Sequence, residues 1–176
     1  MVSIWLYIAL VLLTGIERLV EVVLSRRHAA WSFDRGGREY GRGHYPFMVV
    51  LHTGLLLACV AEVVLGHRPF VPALGWPMLA VVLACQAGRY WCIATLGRQW
   101  NTRIVVVPGA GRVTRGAYRL MPHPNYVIVA VEGVALPLVH TAWITAVAFT
   151  VLNAVLLLGF RIPAERRALA GLDAAT

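Results

Sequence analysis

Five apolar blocks set the pattern of this chain, running roughly over Val2–Leu24, Tyr45–Leu65, Val71–Leu96, Tyr126–Val139 and Ala142–Phe160. A spanning helix needs about 20 apolar residues, so the pattern predicts an all-α integral membrane protein with about five transmembrane helices. The fourth block is short, and His140-Thr141 after it reads as a tight turn that folds the last two blocks into a helical hairpin. The polar stretch from Arg98 to Asn125 is patterned as well. Thr102-Arg-Ile-Val-Val-Val107 is β-branched, Pro108-Gly-Ala-Gly111 supplies a turn, and Arg112-Val-Thr114 can return as a second strand, which predicts a small cytoplasmic β-hairpin. Gly109-Ala-Gly111 is no dinucleotide fingerprint, because the third glycine comes too late and no βαβ unit surrounds it. With no repeat, low-complexity tract or composition break, residues 1–176 are expected to form one domain.

Composition agrees with this pattern. Of the 176 residues 59% are hydrophobic and 14% charged, against roughly 25% charged in soluble domains. The mean hydropathy is +0.70. The net charge of +8 is carried entirely by arginine, since the chain has no lysine. Those arginines lie between apolar blocks rather than along one face, which fits anionic headgroups and a positive-inside bias better than nucleic acid. Thirteen of the sixteen fall in the first loop, the third loop and the segment after the last block. That asymmetry predicts the N-terminus outside and the C-terminus in the cytoplasm. The first block has no basic region before it and no small-residue cleavage pattern after it, so it is expected to be kept as a helix. Cys59, Cys85 and Cys92 lie in apolar stretches without metal-type spacing and are expected to be buried free thiols.

Against this background Gly116–Tyr126 stands out. Tyr118, Arg119, His123, Asn125 and Tyr126 put five hydrogen-bonding or stacking side chains within nine residues, where a membrane helix is about to begin. Pro124 is a natural first residue of that helix, leaving N–H groups at a positive helix end that can receive a carboxylate. Tyr118 or Tyr126 offers a face to an aromatic ring or a cation. Such a segment suits a ligand carrying a carboxylate, an adenine and a positive centre; an interfacial aromatic belt with a proline-capped helix is the competing reading.

Arg161 and Glu165 share a helical face where the last block leaves the membrane. There an arginine fork can hold an oxygen and a carboxylate can orient it or take its proton. An interfacial ion pair anchoring the helix end is the plainer reading of the two residues alone, and Pro163 between them can kink or restart the helix. Glu17, Arg18, Glu21, His52, Glu62, Arg89 and Glu132 are ionisable groups inside apolar blocks, which makes them functional suspects by default. Glu132 leads them, seven residues after Asn125 on a similar side of the helix, with Arg89 as its possible counter-ion. His44 and His52 are eight apart, but no partner pair and no attachment motif supports haem.

At these residues the chain resembles the isoprenylcysteine carboxyl methyltransferase family of integral membrane enzymes. The carrying motifs are Gly116-Ala-Tyr118, His123-Pro-Asn-Tyr126, the helix pair that follows and Arg161-Ile-Pro-Ala-Glu165. Upstream, Glu17-Arg-Leu-Val-Glu21, Ser25-Arg-Arg27, His44-Tyr-Pro46, Arg89-Tyr-Trp-Cys92 and Gln99-Trp-Asn-Thr-Arg103 are similar to a bacterial branch that methylates long-chain resorcinols and pyrones. The resemblance implies an S-adenosylmethionine pocket made by residues from about 98 onward, with Tyr118, Arg119, His123, Asn125, Tyr126 and Glu132 holding the cofactor. It places Arg161 and Glu165 at the methyl-transfer centre and brings a lipophilic acceptor sideways from the bilayer. Two positions depart from the pattern. Pro122 stands where the family has arginine, with Arg119 as the nearest replacement cation, and Arg166 stands where a second acid often follows Glu165.

Two other functions fit the same topology. An NADPH-dependent membrane reductase of sterol-like lipids would share a related helical core, and a non-enzymatic scaffold would need no site at all. Retention of NADPH rather than S-adenosylmethionine marks the first; indifference to replacement of His123 or Glu165 marks the second.

Overall fold

The computed structural model describes residues 2–173. Its helices are α1 (Val2–Phe33), α2 (Tyr45–Leu65), α3 (Pro72–Leu96), the single turn α4 (Ala117–Leu120), α5 (Pro124–Leu138), α6 (Trp143–Leu156) and α7 (Ile162–Asp173). Two short strands, β1 (Arg38–Tyr40) and β2 (Ile104–Val106), complete the elements used below. Among the described residues three helical stretches are long and apolar enough to cross a membrane: Arg42–Leu65, Pro72–Gln99 and Trp143–Ala170. α5 is a shorter apolar helix, and α1 is long but carries Glu17, Arg18 and Glu21 within it. The protein is a helical membrane protein.

The outer surface is apolar, as lipid demands. Trp5, Leu12 and Leu19 on α1, Val50 and Leu57 on α2, Leu83 on α3 and Val151 and Leu152 on α6 all point outward. The interior is mixed. Cys59, Val63, Val82, Leu136 and Phe149 form its apolar part, and the three cysteines are free and buried. On α1 the inward residues Tyr7, Val11, Thr14, Glu21, Ser25, Ala29 and Ser32 follow a three-four spacing, so one narrow stripe faces the bundle and turns polar along its length. α5 packs against α3 and α6. Gly133 permits the second contact, since a β-carbon there would sit 2.0 Å from the Phe149 ring.

The hairpin of α5 and α6 turns at Thr141, whose left-handed backbone (φ 55°) is held by its hydroxyl, donating to the Pro69 carbonyl at 2.7 Å. The start of α6 has no cap of its own. Glu62 of α2 supplies one from outside, accepting the Ile144 and Thr145 N–H groups and the Thr145 hydroxyl at 3.2, 2.7 and 2.7 Å. Arg68 pairs with it at 2.9 Å. Glu62, half-buried inside an apolar block, thus serves as a cap. Its replacement by alanine is expected to cost about 1–2 kcal/mol, the range for a lost helix cap, read as a lower unfolding temperature in detergent.

Three expectations change. α1 runs nine residues past Leu24 to Phe33, because arginine, alanine and histidine continue a helix that has left the apolar zone; Gly36 (φ 76°) turns the chain after it. β2 forms where expected, but its antiparallel partner is β1 in the first loop, with Arg38 opposite Val106 and Tyr40 opposite Ile104. Arg112-Val-Thr114 does not return as a strand, since the first loop has taken that edge. At Pro163 the helix neither stops nor breaks. A five-residue π-helical stretch, Leu157–Arg161, carries α6 into α7 and places the proline in the first turn of the next segment, where its missing N–H matters least.

Candidate active site

α4, the start of α5, and the junction of α6 with α7 converge on one cavity of about 410 Å³. Of the eight candidate residues, Tyr118, Arg119, His123, Asn125, Tyr126, Arg161 and Glu165 line it. Its other wall is the stretch from Gln99 to Val107. The extended end of α1 holds that wall in place. Ser25 Oγ donates to Asn101 Oδ1 at 2.6 Å and accepts the Thr102 N–H at 3.0 Å, and the His28 ring meets the Trp100 carbonyl at 2.8 Å.

Gly116 opens the functional segment with φ 55° and ψ −133°, a backbone that side chains other than hydrogen rarely adopt. A β-carbon there would lie 2.6 Å from the Thr95 hydroxyl. Both constraints set where Tyr118 emerges, and burial pushes the Tyr118 hydroxyl pKa up, keeping it protonated. Gly116→Ala is therefore expected to strain the turn by about 1–3 kcal/mol and to weaken ligand binding at the cavity, measurable by calorimetry.

The core of the site is a linked trio. Tyr126 donates its hydroxyl to Glu165 Oε2. The buried Arg161 donates Nε to the Tyr126 oxygen at 3.1 Å and Nη2 to the Thr102 carbonyl at 2.6 Å. Its guanidinium lies 5.9 Å from the Tyr126 ring centroid. His123 stacks on Tyr126 with ring centroids 5.3 Å apart and planes 17° apart, and its Nδ1 lies 3.6 Å from Glu165 Oε1. The Tyr126 hydroxyl and the His123 ring both meet the Glu165 carboxylate, contacts that favour its anionic form.

The helix end is less open than expected. Pro124 has no N–H, and the Tyr126 and Val127 N–H groups turn back to the His123 carbonyl at 3.1 and 3.4 Å. Asn125 keeps the first-turn N–H that this carbonyl does not take. Arg119 and Pro122 line the same cavity, and Arg119 is exposed there.

Glu132 lies elsewhere. It is buried between α1, α3 and α5, where Arg18 Nη2 and Gln86 Nε2 donate to its Oε1 at 3.1 and 3.2 Å. Arg89, the counter-ion considered for it, binds Glu21 instead. Among the described residues no cluster of histidine, cysteine and carboxylate side chains has the makings of a metal site. Sequence reasoning missed Thr102, whose carbonyl anchors Arg161; the Gln99–Arg103 stretch carried a signal, but a backbone acceptor leaves no mark in residue type.

The isoprenylcysteine carboxyl methyltransferase (ICMT) family matches the chain over residues 78–171, a span that holds the cavity residues from Gln99 to Glu165. The uncharacterized protein YpbQ of Bacillus subtilis (strain 168) is 39% identical over 166 residues, covering 94% of this chain and 95% of that one. No solved structure matches. A helical membrane bundle, the Gly-x-Tyr and His-Pro-x-Tyr segments facing Arg161 and Glu165 across a helical hairpin, and the match over residues 78–171 lead to one conclusion: the chain belongs to the isoprenylcysteine carboxyl methyltransferase family.

Proposed function

We propose that this protein transfers a methyl group from S-adenosylmethionine to an oxygen of a lipophilic, membrane-dissolved acceptor. The observation that carries the reading is the Arg161–Tyr126–Glu165 trio on the wall of a cavity at the arginine-rich end of the bundle. At about 410 Å³, the cavity falls in the roughly 300–1,000 Å³ range of small-molecule sites. The donors suit the ligand. Arg119 and the Asn125 N–H can receive a carboxylate, with Arg119 standing in for the arginine that Pro122 replaces, while the stacked His123 and Tyr126 rings offer a platform. The ionised Glu165 sits where a positive centre would be favoured. Glu132, tied to Arg18 and Gln86, is not among the residues that line this cavity.

S-adenosylmethionine, when bound, supplies an electrophilic methyl group on a sulfonium. What remains for the protein is alignment of donor and acceptor and exclusion of water. Arg161 orients the acceptor oxygen and favours its anionic form. Tyr126 fixes Arg161 and Glu165 relative to each other. A carboxylate acceptor needs nothing more. A neutral hydroxyl must lose a proton, and Glu165 is too weak a base for an ordinary phenol of pKa about 10. The site thus suits an acceptor that is already anionic or is acidic, as an enol or activated phenol is. We place the cavity on the cytoplasmic side, following the arginine distribution, with the N-terminus outside. Mass spectrometry of lipids from cells with and without the gene tests this reading. A lipid pair differing by one methyl group is expected; identical lipid profiles would count against it.

A further inference from the structure

A buried chain of charge runs from α1 through α3 and ends on a residue of the cavity. Glu21 and Arg89 meet fork to fork, with Arg89 Nε and Nη2 donating to the two carboxylate oxygens, the latter at 2.6 Å. Only 4% of Glu21 and 8% of Arg89 is exposed. Arg18 reinforces the pair by donating Nη1 to both Glu21 oxygens at 3.1 and 3.0 Å. The remaining arm of Arg89 reaches α5, where Nη1 donates to Asn125 Oδ1 at 3.5 Å.

A guanidinium has five donors and no acceptor. The atom of Asn125 that faces it is therefore the oxygen, and the amide is fixed in one of its two orientations. Its Nδ2–H₂ group is then the end left over. Among the described residues no protein acceptor meets that group, and Asn125 lines the cavity. Left alone, a side-chain amide can present either end to a ligand. Here a clamp reaching back to α1 removes that freedom.

We propose that Arg89, held by Glu21, is a positioning residue that locks Asn125 as a hydrogen-bond donor into the cavity, serving a lone-pair acceptor of the methyl donor such as its carboxylate or an adenine nitrogen. The inference rests on the methyltransferase reading. It makes the α1–α3–α5 charge chain part of ligand recognition, although none of Glu21, Arg18 or Arg89 lines the cavity. It also predicts that aspartate cannot replace Asn125: its carboxylate would accept from Arg89 at least as well but would offer no donor to the ligand.

The test is a double-mutant cycle on the full-length protein in detergent, reading the Kd of S-adenosylhomocysteine by calorimetry. Lysine at position 89 keeps the charge and can satisfy Glu21, but its single ammonium cannot also span to Asn125. Arg89→Lys is expected to weaken binding about tenfold, the scale of one hydrogen bond to the ligand, and to raise the KM for the methyl donor more than it lowers kcat. In an Asn125→Ala background the same change is expected to have no further effect. Asn125→Asp is expected to bind at least tenfold more weakly (about the same scale) with the unfolding temperature retained. Should Arg89→Lys fail to fold, Glu21→Gln, which loosens the same grip without changing size, takes its place in the cycle. Unchanged binding in Arg89→Lys, or a loss that adds to that of Asn125→Ala, would overturn the inference alone. Wild-type protein that fails to bind S-adenosylhomocysteine would overturn the methyltransferase reading and the inference with it.

Discussion

Arg161→Ala is expected to lower methyl transfer by about a hundredfold or more, the usual cost of removing one preorganised donor from a site where charge develops. Arg161 is buried and has no slack: Nε holds the Tyr126 hydroxyl oxygen and Nη2 holds the Thr102 carbonyl. Its loss frees Tyr126 from one side and leaves the Thr102 carbonyl without its donor. Arg161→Lys is expected to recover little, because one ammonium cannot serve the tyrosine on α5 and the carbonyl beside β2 together. Initial rates with saturating methyl donor, alongside unfolding temperatures of both variants, check this. A lysine variant with near wild-type kcat would show that charge alone matters and that the fork geometry does not.

The second large effect belongs to Arg18, and it concerns stability. Arg18 contacts Glu17 at 3.5 Å, Glu21 at 3.0 Å and Glu132 at 3.1 Å, with Gln86 at 3.0 Å. It bridges three carboxylates between α1, α3 and α5, sharing Glu21 with Arg89. Removing one partner of a buried pair costs about 3–5 kcal/mol, since the other charge stays buried without compensation. Arg18→Met is expected to fall in that range. Adding Glu132→Gln is expected to restore part of the loss by removing the stranded charge. Arg26, exposed on the same helix, is the contrast: Arg26→Met is expected to change stability by no more than about 0.5 kcal/mol. Unfolding in detergent by heat or denaturant checks all three. Equal losses at Arg18 and Arg26 would show that the buried network does not carry the α1 contact.

What the residues declared in advance, and what they hid, divide along physical lines. α2 runs over Tyr45–Leu65 as the apolar pattern marks it, because membrane helices announce themselves by length and hydropathy. The Thr141 turn was visible because the apolar run breaks only at His140-Thr141 between two blocks too close to be separated otherwise. The segment that lines the cavity was legible for a similar reason, since polar and aromatic side chains at a membrane edge have few structural uses. β1 was invisible: three residues, Arg38-Glu39-Tyr40, show no alternation, and their pairing with Ile104–Val106 is a long-range event. The end of α1 was misjudged because hydropathy reports where the membrane stops, whereas a helix can continue into water on propensity and on contacts such as Ser25 with Asn101. Glu132 shows the limit of spacing arguments. It shares a side of α5 with Asn125, but Arg18 reaches it from another helix, and no local pattern encodes that encounter.

The chemistry of the cavity is where the account stands or falls. Purified protein in liposomes containing a lipid extract, given S-adenosylmethionine with a labelled methyl group, is predicted to move label into the organic-extractable fraction, and Arg161→Ala protein is predicted not to. Wild-type protein that transfers no label, and that retains NADPH while ignoring S-adenosylmethionine, would contradict the account.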